Sequence, residues 1–140
     1  METIDFIRVQ PEHVHMLEGE AITYLEKAIN ATPGNDLRLA DVLDEAALDC
    51  GLIYLIKIKR ELFGVTYTVL GKGLYGTILN VVLLGGKQMH RWKLDYRAFI
   101  IDLMKLFNCQ QVCFIGRDGW QKIFPEAKPV GTIFIAGIPN

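Results

Sequence analysis

Serine is absent from this 140-residue chain, which removes every mechanism built on a serine nucleophile. Cysteine and histidine are scarce, at three each. Cys50, Cys109 and Cys113 are odd in number, provide no disulfide framework and suit a reducing compartment. Cys109 and Cys113 have the spacing of one strand face, yet no histidine or further cysteine stands near them in sequence, so no zinc set is expected. A cysteine nucleophile would need His90 brought to Cys109 or Cys113 by the fold. His13 and His15, two apart at a helix start, point in different directions and read as surface residues. Net charge is also small, −1 at pH 7, against the strongly basic balance of a generic nucleic-acid binder. Long apolar runs are missing too. The longest weakly charged stretch, residues 62–86, is broken by Lys72, threonines and several glycines, so it reads as strands with turns and no membrane span is expected. Met1–Asp5 is charged and the apolar stretch after it is short, so no signal peptide is expected.

Apolar residues are plentiful. They make up 51% of the chain against 22% charged, which is rich for a single domain of this size with much surface to cover. The surplus points to a partner surface, taken up by other proteins or by copies of the same chain. One domain, residues 1–140, is expected.

Residues 77–120 read as the organising unit: an apolar strand, a turn at Gly85 and Gly86, a helix, and a second apolar strand. A crossover helix between two buried strands is the usual route to parallel pairing. Upstream, Thr3–Val9 reads as a strand and residues 12–30 as one helix with Val14, Leu17, Ala21, Leu25, Ala28 and Ile29 at helical spacing. Asp36–Asp49 reads as a shorter helix capped by Asp36. Leu52–Lys59, Glu61–Leu70 and Tyr75–Leu84 form a meander with a turn at Gly71-Lys72-Gly73. In the helix Lys93–Asn108, Leu94, Ala98, Ile101 and Leu106 define the expected buried side. Gln111–Ile115, a short helix Trp120–Phe124 and a last strand Thr132–Ile138, taken as an edge or interface strand, complete an α/β mixed sheet with flanking helices.

That order resembles the GNAT superfamily of N-acetyltransferases over nearly the whole chain, as topology more than as motif. In that family the loop after the fourth strand, Q/R-x-x-G-x-G/A, holds the pyrophosphate of acetyl-CoA on bare backbone N–H groups. Here the matching stretch runs from Gly85 to Tyr96. A register starting at Arg91 puts Leu94 and Tyr96 where glycines belong, and one starting at Gln88 puts Arg91 and Lys93 there. The resemblance therefore implies acetyl-CoA phosphate contacts by charge, from Lys87, Gln88, Arg91 and Lys93, with His90 among them. The family's glutamate base and tyrosine acid have no counterpart at the matching positions, and Glu61, Tyr67 and Tyr75 are only distant substitutes.

The tail Gly116-Arg117-Asp118-Gly119-Trp120 is similar to a pattern in GNAT-like proteins of phages, among them small internal virion proteins of short-tailed phages. This likeness implies a fold that has lost acetyl transfer, takes no cofactor, and serves in virion assembly, first in the host cytoplasm and then in the particle. The alternative is a cytoplasmic acetyl-CoA-dependent N-acetyltransferase with an atypical cofactor loop. Read physically, the same tail is a corner in which Gly119 turns the chain, Trp120 is buried and Arg117 pairs with a carboxylate.

Overall fold

The computed structural model describes residues 2–32, 36–115, 119–130 and 133–137. Its centre is a seven-stranded sheet in the order β1-β2-β3-β4-β5-β7-β6. The strands are β1 (Ile4–Arg8), β2 (Leu52–Ile58), β3 (Glu61–Gly73), β4 (Gly76–Gly86), β5 (Cys109–Ile115), β6 (Lys128–Val130) and β7 (Ile133–Gly137). All neighbours pair antiparallel except β4 with β5, which run parallel. The helix between them, α3 (Lys93–Leu106), is the crossover that parallel pairing demands.

Two cores lie on the two faces. On one, α3 and the short α4 (Trp120–Ile123) cover Ile56, Phe63, Leu79, Val81, Leu84, Val112 and Phe114. On the other, α1 (Glu20–Asn30), α2 (Leu39–Ala47) and a 3-10 turn (Pro11–Met16) close over Ile53, Val65, Tyr67 and Leu83. Among the described residues no helix is long and apolar enough to cross a membrane.

Several expectations need correction. The single helix over 12–30 is two pieces, because the chain reverses at Gly19 with φ of 64°. Val14 and Leu25 both reach the core, so the apolar spacing continues across a break it does not reveal. Asp36 caps nothing in α2: Arg38 holds the N-cap position without a side-chain bond. Gly71-Lys72-Gly73 is strand, and the turn is Leu74-Tyr75. Gly85 and Gly86 are the end of β4 rather than a turn. They are needed for close approach: a Cβ on Gly85 would strike the Tyr24 backbone, and one on Gly86 the Phe63 carbonyl.

The buried side of α3 is also differently phased. Leu94 and Leu106 are 73% and 72% exposed, while Tyr96, Ile100, Leu103 and Met104 are buried. Aromatic packing decides the phase: Phe99 stacks on Phe6 at 4.3 Å, meets Tyr54 edge-on at 4.8 Å, and lies beside Tyr96. The last strand is interior, since β6 covers its outer side. Gly116, Arg117, Asp118, Thr132 and Ile138 lie outside the described residues, and so does the expected Arg117 pairing.

The β2–β3 turn is made by Lys59 and Arg60, with φ of 51° and 70°. Two left-handed residues between antiparallel strands form a type I′ turn, which favours Asn-Gly. The double change Lys59→Asn, Arg60→Gly should raise the unfolding free energy by about 1–2 kcal/mol. Urea denaturation checks it; an unchanged midpoint would show that the turn carries no strain.

Candidate functional site

The ladder between β4 and β5 runs from Thr77–Cys109 to Val81–Phe114 and stops, although β4 continues to Gly86. At the same place the pairing of β3 with β4 slips. Tyr67 faces Leu83 and Thr68 faces Val81, which leaves Val82 as the extra residue of a bulge. A bulge bends its strand and breaks the local ladder. The two strands therefore part beyond Val81.

A cleft of about 380 Å³ lies at this opening, within the range of about 300–1,000 Å³ usual for small-molecule sites. Leu84, Met89, His90 and Lys93 line it from β4 and the start of α3; Gly119, Trp120, Lys122 and Ile123 line it from the segment after β5. Its walls are apolar with nitrogen bases, and among the described residues no carboxylate lines it. The first bond of α3 is Tyr96 N–H to the Trp92 carbonyl at 2.9 Å. Trp92 gives no side-chain cap, so the N–H groups of Lys93, Leu94 and Asp95 have no acceptor within the helix. Such a helix start favours an anion, although Asp95 in the first turn offsets part of that field.

The entry into α3 is held by Trp92. Its ring is fully buried beside Gly64 and Gly86, it meets Tyr96 edge-on at 6.1 Å, and its indole N–H donates to the Lys87 carbonyl at 2.9 Å. Tyr96 is buried in turn. Its hydroxyl lies 2.7 Å from Thr66 Oγ1, and Thr66 Oγ1 donates to the Leu83 carbonyl at 3.0 Å. Thr66 has one proton to give, so Tyr96 is the donor in the first of these bonds.

The four residues expected to meet phosphate divide. Lys93 lines the cleft, joined there by His90 and by Lys122. Lys87 pairs with Glu61 at 3.0 Å and sits 5.0 Å over the Phe63 ring. Arg91 pairs with Glu2, donates to Gln88 Oε1 at 3.0 Å, and lies 4.7 Å over the same ring. Gln88 itself turns the loop with φ of 50°. These partners act on one another: hydrogen bonding to Arg91 lowers the Glu2 carboxyl, and hydrogen bonding to Glu61 raises the Lys87 ammonium. Lys122 carried no signal in the sequence beyond being a base in a short helix.

The substitute catalysts lie elsewhere. Glu61 is in its ion pair, Tyr75 is 79% exposed at the hairpin tip, and Tyr67 is buried under α1 and α2. Burial raises the thiols of Cys109 and Cys113, which keeps them protonated. Among the described residues no group of three side chains could hold a metal.

No protein-family model matches the sequence, and no curated protein matches it. Solved structures match it in shape. A GNAT family acetyltransferase from Brucella melitensis, in complex with acetyl-CoA, superposes with a TM-score of 0.67 at 9% identity, over 100% of this chain and 91% of that one. The aminoglycoside acetyltransferase AAC(6')-Ib in complex with coenzyme A gives 0.62 at 14% identity, over 96% and 95%. The PaiA N-acetyltransferase of Thermoplasma acidophilum with coenzyme A gives 0.59 at 11%, over 95% and 96%. The fold is that of the GNAT acetyltransferases. The parting of β4 and β5 is thus a feature of a GNAT-fold sheet, and identities this low carry the fold alone.

Burial pushes the hydroxyls of Tyr96 and Tyr67 well above the ordinary tyrosine range. Such groups hold their protons more tightly in the folded chain. Their contribution is complete below about pH 10 and is lost as pH rises above it, because the unfolded chain ionises first. Tyr96→Phe should therefore cost about 1–2 kcal/mol at neutral pH by removing the bond to Thr66, and should flatten the alkaline loss of stability. Denaturant titrations at pH 7 and in the alkaline range test both; equal pH dependence in the two proteins would refute the assignment.

Proposed function

We propose that the β4–β5 cleft binds a CoA thioester and that the protein transfers its acyl group to an amine. The observation that carries this reading is the cleft itself: an opening between parallel strands with an apolar wall and nitrogen bases, beside an uncapped helix start. Leu84, Met89, Trp120 and Ile123 suit the uncharged arm of such a ligand, and Lys93, Lys122 and His90 suit its phosphates. When bound, the thioester supplies an activated acyl carbon. The bulge at Val82 breaks the regular pairing of β4 where the strands part, so backbone N–H groups there are the donors available to a carbonyl oxygen. The amine nitrogen bonds to the acyl carbon, the carbon–sulfur bond breaks, and sulfur takes up the proton that nitrogen loses.

One observation favours a second reading. No carboxylate and no tyrosine lines the cleft among the described residues, so nothing of the usual acid–base pair is in place. This supports a GNAT fold that has lost transfer and works as an assembly component, such as a virion protein bound to other virion proteins or to copies of itself. The two readings differ in turnover.

Acetyl-CoA at about one hundred times its dissociation constant should stabilise the fold by about 2.7 kcal/mol. Lys93→Ala with Lys122→Ala should weaken binding about tenfold or more, while Lys87→Ala with Arg91→Ala should leave it nearly unchanged. Thermal shift and tryptophan fluorescence measure both. No shift at millimolar acetyl-CoA would sink the cofactor reading, and binding without release of free CoA in the presence of amines would favour the assembly reading.

A further inference from the structure

Two of the bases in the cleft stand on different helices, Lys93 on α3 and Lys122 on α4. On the sheet side α4 is held by ring packing. Trp120 and Phe124 lie 4.8 and 4.7 Å from Phe114, and the Trp120 indole N–H donates to the Ile115 carbonyl at 3.2 Å. Toward α3 the polar tie among the described residues is Arg97, one turn beyond Lys93. Its guanidinium pairs with Glu126 at 2.6 Å, reaches the Ile123 carbonyl at 3.5 Å and lies 4.6 Å over the Phe124 ring. The Gln121 side-chain amide donates to the Ala127 carbonyl at 3.1 Å, which braces the stretch that Arg97 grips against α4 itself.

We propose that Arg97 is a positioning residue: it sets the gap between α3 and α4, and so holds Lys122 across from Lys93. The inference rests on the reading of the cleft as a site for a phosphate-bearing ligand. Two ammonium groups on opposite walls repel each other until an anion lies between them. A helix of four residues has little stability of its own. Ring packing on Phe114 tolerates sliding and tilting that a hydrogen-bonded ion pair does not. Arg97 therefore opposes the repulsion, with contacts to three residues of the α4 segment. Lysine in its place would keep the charge and lose the planar group that serves Glu126 and the Phe124 ring together. Arg97 itself is paired and does not line the cleft, whereas Lys93 and Lys122 do. Glu126 is the one acidic side chain in residues 119–127, so the same pair offsets the charge of that segment that would repel an anion.

Tryptophan fluorescence titrations of the folded protein with acetyl-CoA and with inorganic pyrophosphate test the assignment. Arg97→Ala should weaken both ligands about fivefold or more, and Arg97→Lys should recover only part of the loss. Glu126→Ala should weaken them about threefold, although it leaves the cleft with more positive charge around it. Lys122→Ala should cost about tenfold. Adding Arg97→Ala to it should cost little more, since a missing lysine needs no positioning. Hydrogen exchange in the α4 peptide should quicken in Arg97→Ala and slow when pyrophosphate is added; exchange that stays the same overturns the proposal. Tighter binding by Glu126→Ala overturns it too, because Arg97 would then act by charge. So do losses from Arg97→Ala and Lys122→Ala that multiply, or an unchanged affinity in Arg97→Ala. Should Arg97→Ala fail to fold, Glu126→Ala decides by the direction of its change. Pyrophosphate binding without acetyl-CoA binding would end the cofactor reading and leave the positioning role standing; a wild-type protein that binds neither removes both.

Discussion

The parting of β4 from β5 is the constraint on which the rest of the molecule turns. Parallel pairing over Thr77–Val81 requires a crossover, and α3 is that crossover. Its position is then fixed from below. Trp92 fills the space that Gly64 and Gly86 leave, and Tyr96 donates to Thr66, which donates to Leu83. That chain ends beside the Val82 bulge, so the tie that holds the helix to the sheet also holds the bend in β4. The cleft follows from these packing choices. Its bases arrive because the start of α3 and the turn of α4 are the two elements nearest the opening.

Strand and helix content was legible because it rests on local pattern. The meander, the crossover helix and the closing strands all lie within a few residues of where alternation and helical spacing put them. What was hidden depends on contacts distant in sequence. The phase of α3 could be read two ways, since Leu94 and Leu106 are as apolar as Ile100 and Met104; Phe6 and Tyr54, from strands far upstream, choose between them. The break at Gly19 was invisible because Val14 and Leu25 reach the same core from different axes. Gly85 and Gly86 looked like turn residues, yet their lack of a side chain serves the approach of α1 and of Phe63.

The candidate site was less legible for a related reason. A helix start offers backbone N–H groups whatever its side chains are, so a search for glycines registers only the version in which a ligand needs to come closest. Five cationic or polar residues precede and open α3, and sequence alone treats them as equivalent. The fold separates them. Lys87 and Arg91 turn to Glu61, Glu2 and the Phe63 ring, whereas Lys93 and His90 turn to the cleft. The pairing with Glu2 spans nearly the whole meander, a partner no local motif would supply. Lys122 joins Lys93 only because α4 folds back beside α3.

The apolar surplus of the composition finds a specific place in this arrangement. Strands that read as nearly continuous apolar runs are usually covered on both faces, and β4 is such a strand. The structure covers the α3 face of β4 and β5 fully with Leu79, Val81, Val112 and Phe114 buried, but α1 and α2 reach only as far as β4 on the other. Val69 of β3 still packs against the α1 and α2 core, whereas among the described residues Cys113 and Ile135, half-buried at the rung behind the opening, join neither core.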